Sequence, residues 1–110
     1  MLEALYTSKY ERDVKALVKK HCDIAPLGEV VDLILEDTEE SRRILQRRHN
    51  MHSLKGAWSG SNECHVANAG DWLVIWKTGN GLAVFQRTGS HDALLPKLIS
   101  GEIDVLQIGS

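Results

Sequence analysis

The sequence predicts an α+β domain in which an N-terminal helical hairpin packs on one face of a small antiparallel sheet. Three observations lead there. Before residue 50 the apolar residues recur at helical spacing; after it come short runs rich in β-branched and aromatic residues; and Gly79-Asn80-Gly81 supplies a tight turn between two of those runs. With 110 residues and 43% hydrophobic content, the chain has material for one compact core and too little for two.

Taken in order, Leu2 to Tyr6 reads as an edge strand. Ser8 followed by Glu11 has the form of a capping box, and Tyr10, Val14, Leu17 and Val18 then trace a first helix to about His21. Pro26 suits the first turn of a second helix, whose apolar face is Leu27, Val30, Val31, Ile34 and Leu35 and whose polar face is Glu29, Asp32 and Glu36. The short joint from Asp23 to Ala25 makes these two an antiparallel hairpin. Thr38 to Arg48 adds a short third helix, capped by Thr38 and anchored by Ile44 and Leu45. Strands follow at 63–66, 72–77 and 82–88, and Asn80-Gly81 pairs the last two antiparallel. The reading divides the chain into a domain over 1–95 and an extension over 96–110, where Leu98, Ile99, Ile103, Val105, Leu106 and Ile108 are apolar enough to form a further strand or a packing tail.

The net charge of −2 conceals a split. Seven acids and no Lys or Arg lie between Asp23 and Glu40, whereas Arg42, Arg43, Arg47, Arg48 and Lys55 follow with no acid before Glu63. That asymmetry suggests a polyanion-facing surface. No apolar run approaches the roughly 20 residues of a membrane span, and the start lacks the pattern of a secretory signal, so a cytoplasmic protein with no membrane partner is expected. Cys22 and Cys64 match no CxxC or disulfide framework and are expected as free thiols.

Pairing the last two strands about their turn brings Trp72 toward Arg87 and His91, and His65 connects to Asp71 by a short loop. One end of the sheet thus gathers two histidines, an aspartate, an arginine and a tryptophan. This composition suits metal-free RNA cleavage. RNA carries its own nucleophile, the 2′-hydroxyl, so the protein need only take one proton, give another and stabilise phosphate charge. Imidazoles do the first two, Arg87 suits the third, and Trp72 can stack on an unpaired base. Each residue also has a plainer reading, Trp72 as core and a lone histidine as surface. A zinc site from His49, His52, Cys64 and His65 is disfavoured because adjacent strand residues point to opposite faces. A serine hydrolase is disfavoured by the absence of a GxSxG elbow.

The strings His52-Ser53-Leu54-Lys55-Gly56, Glu63-Cys64-His65-Val66, Asp71-Trp72 and Arg87-Thr88-Gly89-Ser90-His91, in this order and spacing, resemble the YafQ branch of the RelE/ParE toxin superfamily over residues 2–95. The resemblance implies a RelE-like fold and the toxin half of a type II toxin-antitoxin pair: a ribosome-dependent endoribonuclease, or mRNA interferase, that cuts translated mRNA in the ribosomal A site. It implies no metal or other cofactor, and a cognate antitoxin as partner. By motif, the resemblance puts function on His52, His65, Asp71, Trp72 and His91. Of these, His52, His65, Asp71 and His91 are expected as the catalytic residues and Trp72 on the RNA, with Arg87 and Lys55 added from the residue reading as phosphate partners. Four features depart from the family pattern: a longer linker over 66–70, Leu95 in place of an aromatic residue, the basic helix over 42–48, and the extension over 96–110. Two alternatives accompany this reading, a ParE-like gyrase inhibitor and a catalytically inactive binding module.

Overall fold

A computed structural model of the chain describes residues 1–67 and 71–94. The 96–110 extension, Leu95 and the end of the 66–70 linker lie outside the described residues. The elements are β1 (Glu3–Tyr6), α1 (Ser8–Lys19), α2 (Ala25–Glu36), α3 (Glu39–His49), β2 (His52–Ser53), a 3-10 turn (Gly56–Trp58), β3 (Asn62–His65), β4 (Leu73–Gly79), β5 (Leu82–Gly89) and α4 (His91–Leu94). They build a mixed α+β domain on one five-stranded sheet, ordered β1-β5-β4-β3-β2.

The starts of α1 and α3 follow side-chain caps. The cap of α1 is Thr7, one residue before the Ser8 that its sequence pattern suggests: the Thr7 hydroxyl accepts the Tyr10 N–H at 3.0 Å and donates to the Gln86 carbonyl at 2.9 Å, tying the helix to β5. Pro26 lies in the first turn of α2. Thr38 and Ser41 cap α3 reciprocally, and Asn50 ends it in the left-handed conformation. The basic segment from Arg42 to Arg48 is therefore helical, and of its arginines only Arg42 forms an ion pair among the described residues, at 2.9 Å from Asp37.

Four strands are antiparallel neighbours, as the turn chemistry requires. Asn80 and Gly81, at φ 54° and 77°, both adopt the positive φ of a two-residue hairpin loop. The departure is β1, which pairs with β5 in parallel, from Glu3 opposite Leu82 to Tyr6 opposite Phe85. Three helices separate β1 from the other strands, and that length of connection permits the parallel approach. The strand β2 is two residues long and too short to give a periodic signal.

Helices cover one face of the sheet. Tyr10, Leu27, Val30, Ile34 and Leu45 pack there on Cys64, Val74, Trp76, Ala83 and Phe85. The opposite face holds a smaller cluster in which Leu94 of α4, Leu54 and Trp58 meet Leu73 and Ile75. No helix among the described residues is long and apolar enough to cross a membrane.

Candidate functional site

Strand register places the polar residues of the second face. His52 stands opposite Glu63, Glu63 opposite Ile75, and Ile75 opposite Arg87; two residues further on, His65, Leu73 and Gly89 align. Opposed residues share a face, so His52, Glu63 and His65 lie on the side away from the helices. Their neighbour Cys64 points into the helical core with no exposure, where burial, aided by the nearby Glu63 charge, pushes its thiol up to about 12. Cys64 therefore faces away from His52 and His65 and shares no site with them. Among the described residues, no three His, Cys, Asp or Glu side chains converge to hold an ion.

His65 closes β3, half-buried, with its carbonyl 2.7 Å from Nδ1 of His49 at the end of α3. A carbonyl only accepts, so His49 Nδ1 carries the proton there. Just beyond, the Val66 N–H donates to the Trp72 carbonyl at 2.8 Å and closes the linker. Asp71, next to this closure, accepts the His91 N–H at 2.9 Å on Oδ1. His65, Asp71 and His91 thus occupy one end of the sheet, with the His91 side chain exposed at the start of α4. His52 lies further along the same face, 45% exposed; its Nε2 is 3.2 Å from Glu63 Oε1 and its Nδ1 2.9 Å from the Asn50 carbonyl. Lys55 is exposed in the loop after β2.

The sequence reading gave Arg87 to phosphate and Trp72 to base stacking, but both have partners inside the protein. Arg87 forms a two-pronged ion pair with Asp13 of α1, at 2.7 and 3.1 Å, and Asp13 also accepts the Thr88 N–H at 3.1 Å. This carboxylate serves the edge of β5 just where β1 has ended, and it holds Arg87 firmly cationic. The Trp72 indole donates to the Thr88 hydroxyl at 3.0 Å and packs against the helix-side core. It lines a cavity of about 320 Å³ between α1 and the sheet, together with Leu17, Lys20 and Ser90. Sequence reasoning missed Asp13, Glu63 and His49. Asp13 has no local signature, and His49 entered only as a possible metal ligand. Glu63 stood in a quoted motif, where its acidity two residues before His65 was the available signal.

Comparison with known proteins converges on one group. A family model described as the bacterial toxin of a type II toxin-antitoxin system, YafQ, matches residues 2–96. The mRNA interferase toxin YafQ of Escherichia coli K12 is 35% identical over 89 residues, covering 81% of this chain and 90% of that protein. The crystal structure of YafQ from E. coli BL21(DE3) superposes with a TM-score of 0.74 at 29% identity, covering 86% of this chain and 99% of the other. The toxin in the E. coli DinJ-YafQ toxin-antitoxin complex gives 0.72 at 33% identity, with 86% and 97% covered.

Proposed function

This chain belongs to the YafQ family of bacterial type II toxins, and from that premise we propose that it is an endoribonuclease that cuts translated mRNA in the ribosomal A site without a metal. The observation that carries the reading is that His65, Asp71 and His91 share one end of the sheet, with His52 on the same face as His65. The 2′-hydroxyl attacks the adjacent phosphorus, the O2′–P bond forms and the P–O5′ bond breaks. His65 and His91 divide removal of the 2′ proton and protonation of the departing O5′, the two roles for which imidazole side chains are suited. Asp71 orients His91 by holding its backbone N–H. Lys55, exposed beside β2, meets phosphate. Arg87 adds positive charge from its clamp on Asp13, and Trp72 supports the sheet end from the helix side.

The DinJ-YafQ complex of the relative supports a cognate antitoxin as partner here. The exposed His91 and the cationic end of α3 suit an acidic antitoxin segment. Co-expression with the product of the neighbouring reading frame, followed by size-exclusion chromatography, should yield a tight, catalytically silent complex.

Primer extension on a message in a reconstituted translation reaction tests the activity. Chelator-stripped protein should cut the message only when ribosomes translate it. A message left intact while DNA gyrase is inhibited would replace this reading with the ParE-like one.

A further inference from the structure

Among the described residues, His52 is the one site histidine with an oxygen atom close to each ring nitrogen. Nδ1 lies 2.9 Å from the Asn50 carbonyl, which can only accept, and Nε2 lies 3.2 Å from the Glu63 carboxylate. A neutral imidazole has one N–H and one lone pair, so it would turn that lone pair toward one of the two oxygens. The imidazolium keeps the hydrogen bond to the carbonyl and sets a positive charge at ion-pair distance from the carboxylate. Glu63 makes the same demand from its side. Its side chain is only 6% exposed, and its other oxygen, Oε2, is buried with no hydrogen-bond partner among the described residues. A buried carboxylate with so few partners is stabilised by a cation beside it, and among the described residues His52 is the basic side chain within ion-pair distance.

Resting on the nuclease reading above, we propose that Glu63 is a positioning residue that holds His52 as an imidazolium. His52 then supplies fixed positive charge to the phosphate undergoing cleavage and does not remove the 2′ proton, which falls to His65 or His91. The surroundings agree. β2 packs on β3, whose titratable side chains on this face are Glu63 and His65. His49 and Lys55, flanking β2 in sequence, form no ion pair with His52 or Glu63 among the described residues. Among the described residues, no other carboxylate lies within ion-pair distance of the His52 ring.

The test reads the charge of the ring itself and so stands apart from cleavage. Nitrogen-detected NMR of the full chain at pH 7, with His52 assigned by the spectrum of His52→Gln, should show both ring nitrogens protonated. In Glu63→Gln, which keeps the shape and removes the charge, the ring should become largely neutral, whereas Glu63→Asp should preserve the imidazolium. In a cleavage assay, the alkaline limb of the pH profile should move to lower pH in Glu63→Gln. A single neutral tautomer of His52 in the parent protein, or the same ring charge in parent and Glu63→Gln, would overturn the proposal even if the protein cuts mRNA. Loss of cleavage from the parent, with the imidazolium intact, would instead overturn the nuclease reading and leave the ion pair standing.

Discussion

Cys64 and His65 are neighbours on one strand, yet they belong to two regions with different work. Cys64 is sealed into the helix-covered face, where Tyr10, Val30, Val74 and Phe85 surround the center of the sheet. His65 emerges on the other face, which carries only a small apolar cluster and leaves room for imidazoles. The alternation of a strand produces this division at no cost in chain length, because each β3 residue that anchors the core has a neighbour directed at the site. The faces are also joined at a few points. Asp13 grips Arg87 and the Thr88 N–H from α1, and His49 reaches the His65 carbonyl from the end of α3. Stability and chemistry should therefore separate for most residues and couple at these.

The largest effect is expected deep in the covered face. Phe85, with no exposure, stacks on Tyr6 and touches Tyr10, so Phe85→Ala should cost roughly 3–5 kcal/mol of stability. Urea unfolding measures it; a cost under about 1 kcal/mol would show that this face is not the core. Next come the bridges between faces. Asp13→Ala leaves a partly buried guanidinium and a backbone N–H without their acceptor, and should cost roughly 1–3 kcal/mol while also reducing cleavage per folded molecule. A stability loss with cleavage untouched would make the Arg87 clamp purely structural. Smaller still is the cap of α3, which lies away from the site: Thr38→Ala should cost about 1 kcal/mol and leave cleavage unchanged.

High pH probes the covered face as a whole. The Cys64 thiol, ordinarily near 9, is pushed up to about 12, and burial also raises the Tyr10 phenol. Both groups are neutral in the native protein and ionise more easily once unfolded. Their contribution is complete below about pH 9 and is lost as pH rises toward 12. Thermal melts should hold steady from pH 7 to 9 and fall beyond, with Cys64→Ala falling less steeply. Equal slopes would remove the thiol from this account.

How much of this was legible in the sequence depends on how local the determinants are. The β4–β5 hairpin could be read because Asn80-Gly81 fixes its turn, and α2 could be read from Pro26 and an unbroken apolar stripe. Thr7 and Ser8 are adjacent residues that can both cap a helix, and the contact that ties Thr7 to Gln86 is remote in sequence. The parallel seat of β1 depends on a partner nearly the whole chain away. The same distance hides Asp13 from Arg87. The histidines of the site were recognisable by type and motif, but the side chains that hold them, Glu63 and His49, became evident only when register and helix ends were fixed.

The central claim is that one face maintains the fold and the other does the chemistry, and the adjacent pair on β3 tests it most directly. Cys64→Ala and His65→Ala should be compared for thermal stability and for message cleavage per folded molecule in the same translation reaction. The account predicts that Cys64→Ala lowers stability by roughly 1 kcal/mol or more with cleavage close to the parent's. It predicts that His65→Ala keeps the parent's stability within about 0.5 kcal/mol and loses roughly 10² to 10⁴-fold in cleavage. A well-folded His65→Ala that cuts as fast as the parent would contradict it.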